Sequence, residues 1–259
     1  MNILLIGADK SQLLPHIPND NFLLIDDGPL SEIVSETNRT IRHFNPEKHS
    51  FNFLKNITPQ KARDLANVFY ASDPGGENTL TVRNGKRALA KLLKNAKKFD
   101  RITGDEKDPA IVEALGLLDS VLFTDQVRNV LVKRANFSLT GTIIAKLDRA
   151  KMGDFDCFVL ANLLISQYQG TVIIPDFGFY QSPLNASLLR QERLIAGINS
   201  FDEVPDFKNQ LIQVEQKIGA RCTPKDAELL AQYAGLHQDP TRVDNPYNCF
   251  IAKAIGASL

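Results

Sequence analysis

One apolar run in this chain ends in a carboxylate that could bind a metal ion. The run, Thr171 to Pro175, is β-branched and apolar and is followed at once by Asp176. A buried parallel strand delivers a carboxylate to the carboxyl edge of a sheet in this way, and ligands bind at that edge. There it could hold the Mg²⁺ of a bound nucleotide, directly or through water. Asp176 is therefore the candidate catalytic and metal-binding residue; the alternative is that it only caps the turn that follows.

A second candidate site is the turn after the first apolar run, Asn2 to Ile6. Gly7, Lys10 and Ser11 in this turn are the candidate nucleotide-binding residues. A complete phosphate loop, G-x-x-x-x-G-K-[ST], rings the phosphates with backbone N–H groups and supplies a lysine for their charge. Only two residues separate Gly7 from Lys10, where that pattern has five, and the second glycine is absent. The turn is thus at most a degenerate phosphate loop.

Two further carboxylates, Asp26 and Asp27, end a second apolar run, Phe22 to Ile25. Parallel strands end on the same side of a sheet. We therefore expect Asp26, Asp176 and the turn that carries Lys10 to lie close together at one edge. An edge of this kind with three carboxylates could instead hold a metal ion in an unrelated α/β enzyme.

A strongly basic segment, Thr81 to Lys98, is predicted to be a helix. Its residues Arg83, Lys86 and Arg87 are the candidate contacts to phosphate groups, including those of DNA. The alternative is that these charged residues only form a solvent-exposed helix face and bind nothing.

The bulk composition is that of an ordinary enzyme-sized chain. Its 259 residues carry 30 Lys plus Arg and 30 Asp plus Glu, so no global charge favours nucleic acid or membrane. Three scattered cysteines have no metal-ligand spacing and suit a reducing compartment. We expect no membrane segment, because no apolar run approaches the roughly 20 residues of a membrane helix. A cytoplasmic protein is predicted.

Short apolar runs that alternate with amphipathic helices predict an α/β fold, with a mostly parallel sheet and helices on both faces. We predict a single domain over residues 1–259. The motifs G-x-S-x-G and G-x-G-x-x-G are both missing, which argues against a serine hydrolase and a Rossmann dinucleotide site. The predicted central strands are Asn2–Ile6, Phe22–Ile25, Val172–Ile174 and Leu194–Ile198, with another strand over Leu211–Ile218 and a brief helix over Gln12–Ile17.

Several segments together resemble the FtsK/HerA superfamily of P-loop ATPases, especially conjugative coupling proteins and viral genome-packaging ATPases. Asp26-Asp27-Gly28 resembles the family's "DPKG"-like strand end, and Ile41–Leu54 resembles the next strand with its "NPL"-like turn. Asp176 stands where the family has its second acidic motif, and Leu188–Val204 resembles the arginine-containing helix and strand that follow. The resemblance implies a RecA-type core, ATP and Mg²⁺ as cofactors, DNA as a partner, and a homo-oligomer or assembly with an active ATPase.

The chain departs from that family at two places that matter for chemistry. Its phosphate loop (Walker A) is contracted, and Phe177 occupies the place of the catalytic glutamate that normally follows the aspartate. The first departure removes anion-binding N–H groups, and the second removes the residue that activates water. Together they predict a retained fold without ATP hydrolysis.

Three functional hypotheses follow. The first is a degenerate P-loop ATPase-like protein, linked to DNA translocation, packaging or transfer in a mobile element or virus, that acts by binding or assembly. The second is an active NTPase with an atypical phosphate loop. The third is an unrelated metal-dependent α/β enzyme.

Overall fold

The computed structural model describes residues 2–26, 28–36, 40–71, 80–105, 107–121, 125–214, 216–233 and 249–253. Asp27, one of the two carboxylates predicted after the second strand, lies outside the described residues.

The described chain contains eight β-strands and eleven α-helices. The strands are β1 (Ile3–Ile6), β2 (Phe22–Ile25), β3 (Arg42–Phe44), β4 (Ile143–Ala145), β5 (Thr171–Ile174), β6 (Leu194–Ile198), β7 (Gln216–Ala220) and β8 (Cys249–Lys253). The helices are α1 (Pro29–Ser35), α2 (Pro59–Ala71), α3 (Leu80–Asn95), α4 (Pro109–Val121), α5 (Asp125–Val132), α6 (Arg149–Met152), α7 (Asp154–Gln167), α8 (Phe177–Tyr180), α9 (Pro183–Arg190), α10 (Lys208–Leu211) and α11 (Pro224–Tyr233). Three 3-10 helices cover Lys10–His16, Phe99–Arg101 and Phe201–Glu203.

The chain divides into two compact units. Unit 1 comprises Met1–Ile41, Gly170–Gln181 and Asn185–Leu259, and unit 2 comprises Arg42–Gln169 with Ser182–Leu184. The two units are defined by the contacts within each of them. The single domain over residues 1–259 stays a prediction.

Unit 1 is built on six strands in the order β2-β5-β6-β1-β7-β8. β5 pairs in parallel with β2 and β6, and β1 pairs in parallel with β6 and β7. β8 is antiparallel to β7 at the edge. Every residue of β1, β2 and β6 is buried, which explains why these strands are continuous apolar runs and not alternating ones. The prediction of a mostly parallel α/β sheet is confirmed.

Unit 2 contains the parallel pair β3 and β4, and its other described elements are helices. α2 contacts α3, α4 and α7. α7 is buried along most of its length. Near the end of α7, the carbonyl of Ser166 accepts from the ammonium of Lys61 in α2 at 2.6 Å. The basic segment forms α3, which ends at Asn95 and not at Lys98 as the sequence predicts.

Two predicted elements differ from the structure. The strand expected over Leu211–Ile218 begins only at Gln216, because Lys208–Leu211 forms the short helix α10 and Leu211 is buried as part of it. A short apolar run cannot by itself distinguish a strand from a buried turn of helix. The brief helix expected over Gln12–Ile17 is a 3-10 helix that begins earlier, at Lys10.

Among the helices that the structure describes, none combines the length and the apolar character that crossing a bilayer requires.

Candidate functional site

A cavity of about 480 Å³ in unit 1 collects most of the residues that the sequence nominates. Lys10 and Ser11 follow β1, Asp26 follows β2, and Asp176 follows β5, and all four line the cavity. Asn199, directly after β6, joins them. The parallel order of these strands brings their carboxyl ends to one edge, as the sequence predicts for such a sheet.

Gly7 begins the turn that carries Lys10. Its φ of 123° lies in the region that favours glycine, and its N–H donates to the carbonyl of Ile198 at 2.8 Å. The ammonium of Lys10 folds back and donates to the carbonyl of Gly7 at 2.9 Å. The turn is therefore closed on itself by its own lysine.

The carboxylate of Asp9 occupies the backbone donor that a bound phosphate would use at this turn. It accepts from the N–H of Ser11 at 3.2 Å and from its hydroxyl at 2.5 Å, and from the side-chain amide of Gln12 at 3.4 Å. The hydrogen bond from the Ser11 hydroxyl holds the pKa of Asp9 below its usual value, so this carboxylate is ionised at neutral pH. The residues present do not fit a triphosphate cradled as in a complete phosphate loop.

Burial changes the pKa of Lys10. It lowers the pKa of this lysine to about 8, while the carboxylates of Asp176 and Glu203 act in the opposite direction. Gly197 in β6 makes room for the lysine stem, because a Cβ there would lie 3.2 Å from Lys10 Cδ and 2.4 Å from the carbonyl oxygen of Pro175. A side chain at position 197 would therefore disturb both the lysine and the end of β5.

Asp176 and Asp26 differ in what their carboxylates do. Asp176 precedes α8 but makes no capping hydrogen bond to it, which argues against the capping alternative. Its charge instead interacts with Lys10. Asp26 is 8% exposed and accepts from the N–H of Ser31, in the first turn of α1, at 2.7 Å. Asp26 therefore stabilises the start of α1 by accepting from a backbone donor of its first turn.

Phe177, next to Asp176, belongs to the core. Its side chain is fully buried, and its ring meets that of Phe207 edge to face with the centroids 5.6 Å apart. The position at which the resembling family has its water-activating glutamate therefore points away from the solvent and into packed apolar side chains.

Glu203 is a carboxylate near Lys10 that the sequence does not reveal. Its two oxygens accept from the backbone N–H of Asn199 at 3.1 Å and from the side-chain amide of the same residue at 2.8 Å. It also attracts the ammonium of Lys10. Only its position, four residues after Asn199, could have indicated it.

The described residues offer no ready metal centre, since none of them form a group of three or more His, Cys, Asp or Glu able to hold an ion. Asp27 lies outside the described residues and is not part of that statement. A Mg²⁺ carried by a nucleotide would therefore rely on Asp176 and on the nucleotide itself for ligands.

The candidate phosphate contacts belong to unit 2. Arg83 and Arg87 on α3 are exposed, whereas the ammonium of Lys86 lies 5.8 Å from the centre of the Tyr70 ring. α3 contains no acidic residue. Its exposed cations share one face of the helix at intervals of three or four residues, in the series Arg83, Arg87, Lys91 and Lys94.

We expect two lysines in unit 1 to contribute a rise in the free energy of unfolding between pH 8 and pH 10, because both have lowered pKa values. Burial holds the pKa of Lys10 and that of the buried Lys217 each at about 8. Between this value and the ordinary value near 10.4, the unfolded chain binds more protons than the folded one, so stability increases with pH. Below pH 8 both are protonated in both states and the penalty is constant.

Lys217→Met should flatten this rise by about 1 kcal/mol for each pH unit in that window, and Lys10→Met by less, because Lys10 is more exposed. Urea unfolding at several pH values measures the slope. Identical slopes in wild type and both variants would contradict the assignment.

Comparison with known proteins supports the fold and goes no further. No protein-family description and no curated protein matches the chain. Among solved structures, it is similar to VirB4 of Thermoanaerobacter pseudethanolicus, with 12% sequence identity and a TM-score of 0.56. The alignment covers 98% of this chain and 87% of that one. At this identity the similarity shows a shared α/β fold and no more.

Proposed function

We propose that this protein is a degenerate P-loop ATPase-like component of a DNA translocation, packaging or transfer apparatus of a mobile element or virus, and that it acts by binding or assembly. The fold shared with VirB4, a P-loop ATPase of conjugative type IV secretion, supports the apparatus to which we assign it. We also propose that the protein is a member of the FtsK/HerA superfamily and that it no longer hydrolyses ATP.

The observation that carries the proposal is the hydrogen bonding of Asp9 to Ser11. A phosphate loop works because its N–H groups point at an empty place where a phosphate can sit. Here a carboxylate of the chain fills that place and adds a negative charge beside it. The turn follows β1, where a phosphate loop would lie, but the N–H and the hydroxyl of Ser11 already donate to Asp9 and are not available to a phosphate.

A second candidate, an active NTPase with an atypical loop, is favoured by one feature. Two carboxylates, Asp176 and Glu203, are close enough to Lys10 to act on its pKa. Such a group could position a nucleotide and its Mg²⁺ if Asp9 released the turn. Under this hypothesis ATP would bind to the wild type in the presence of Mg²⁺.

DNA is the proposed partner of the exposed face of α3. Four cations at helical spacing, with no acidic residue in the helix, present a row of positive charge about 17 Å long. Rows of this kind contact phosphate backbones without reading sequence. Assembly with further copies, or with an active ATPase, is proposed by analogy with the resembling family.

Titration with ATP, with and without Mg²⁺, tests the proposal. We expect a Kd weaker than about 1 mM for the wild type, and binding at least about tenfold tighter for Asp9→Ala, which frees the Ser11 N–H and removes a repelling charge. Isothermal calorimetry measures both.

The matched control is Asp20→Ala, which removes the same charge from an exposed position just before β2. It should bind ATP no better than wild type. Micromolar ATP binding by the wild type would overturn the proposal in favour of the active NTPase, and equal gains in both variants would show that only net charge matters.

A further inference from the structure

A second hollow, in unit 2, has an apolar floor and a cationic rim. It encloses about 450 Å³, and three phenylalanines, Phe51, Phe53 and Phe99, form part of its wall. Each of these rings is 5% exposed or less. Three exposed cations also line it, namely Lys98, Lys133 and Arg134.

The lining of this hollow carries positive charge and no negative charge. None of the residues that line the hollow is acidic. Among the residues whose side chains the structure describes, no carboxylate forms an ion pair with Lys98, Lys133 or Arg134. The cations around this apolar hollow repel one another in the unbound protein, and a partner of opposite charge would reduce that repulsion.

Hydrogen bonds also hold the backbone beside Arg134 in place. Ser50 donates its hydroxyl to the carbonyl of Arg134 at 2.7 Å, and its own carbonyl accepts from the N–H groups of Asn136 and Phe137, each at 3.0 Å. On the floor, the rings of Phe53 and Phe99 are in contact with their centroids 5.5 Å apart. A fixed hollow of this kind loses little entropy when it binds.

We propose that this hollow binds an acidic peptide segment of a partner protein, with one apolar side chain of the segment in the hollow and its carboxylates on Lys98, Lys133 and Arg134. The volume suits one or two side chains, and the charge suits an anion. A nucleic-acid strand fits less well, because sequence-tolerant binding of bases uses exposed aromatic faces. The three rings here are almost wholly covered.

The test uses two short fluorescent peptides of Asp and Glu, one with a central Phe and one with Ser in its place, and an oligothymidine of similar charge. By fluorescence anisotropy at low salt, we expect the Phe peptide to bind at least about tenfold more tightly than the Ser peptide, since a buried Phe contributes apolar area. Lys133→Glu/Arg134→Glu should weaken the Phe peptide about tenfold or more. Both substituted residues are exposed, so the variant should fold, which circular dichroism checks.

The double variant Lys91→Glu/Lys107→Glu is the matched control, because it makes the same charge change at two exposed sites of unit 2 that do not line the hollow. It should leave peptide binding within about twofold of wild type. The proposal is overturned if neither peptide binds, if the two bind equally, or if the Lys133→Glu/Arg134→Glu variant binds as wild type does. It is also overturned if oligothymidine binds more tightly than the Phe peptide and loses that binding in the Lys133→Glu/Arg134→Glu variant.

Discussion

Phe177→Glu is expected to remove most or all of the stability of the folded protein. The ring is fully buried against Phe207, so the substitution removes its packing and puts a carboxyl group into an apolar site. Loss of a buried Phe side chain alone costs about 3–5 kcal/mol, and the unpaired carboxyl adds to this. Domains are typically stable by about 5–15 kcal/mol, so the variant should unfold at a far lower urea concentration or not fold at all. The family's glutamate cannot simply be restored at this place.

Phe179→Glu, two positions later on the same short helix, is the matched control. Phe179 is only half-buried, so the new carboxylate can reach water and the cost should be much smaller. A Phe177→Glu variant with the unfolding midpoint of the wild type would mean that this side chain can turn outward, and the carboxylate would then stand where the resembling family has its base.

The second large effect is a missing activity: the purified protein should show no robust ATP turnover. Enzymes work at a median of about 10 per second, and loss of a positioned base costs about 10²–10⁴-fold. Turnover of about 0.1 per second or less is therefore expected even before the loss of phosphate donors is counted. Phosphate release, measured with and without DNA, is the assay.

The control for that assay is the double variant Lys10→Ala/Asp176→Ala, which removes the candidate phosphate-binding lysine and the candidate metal-binding aspartate from the cavity. Turnover near about one per second that disappears in this variant would show that the contracted turn is catalytic. Glu203 would then be the first residue to substitute, because it is the carboxylate that interacts with Lys10 from outside the predicted motifs.

The sequence predicts the sheet of unit 1 well because its strands are buried on both faces. β2 and β6 are found with the predicted bounds, and β1 and β5 within a residue. A continuous apolar run ended by a polar residue has few other interpretations. The start of β7 is missed because a short apolar stretch, such as that around Leu211, fits a turn of helix equally well.

The site is only partly visible in the sequence. Strand ends place Lys10 and Asp176 near each other, because parallel strands share an edge. The role of Asp9 depends on which way its side chain turns, and a spacing pattern does not record this. The approach of Glu203 and the clearance over Gly197 depend on contacts between distant parts of the chain. Such contacts follow from packing and not from local preference.

The division of the chain has a consequence for the order in which it can fold during synthesis. Nearly all of unit 2 is one continuous stretch, Arg42–Gln169, whereas unit 1 needs segments from both sides of it. β1 and β2 leave the ribosome early, but their sheet neighbours β5 and β6 come more than a hundred residues later. Two exposed apolar strands must therefore wait, unpaired, while unit 2 is made. That interval is when the nascent chain is most open to aggregation or to capture by a chaperone.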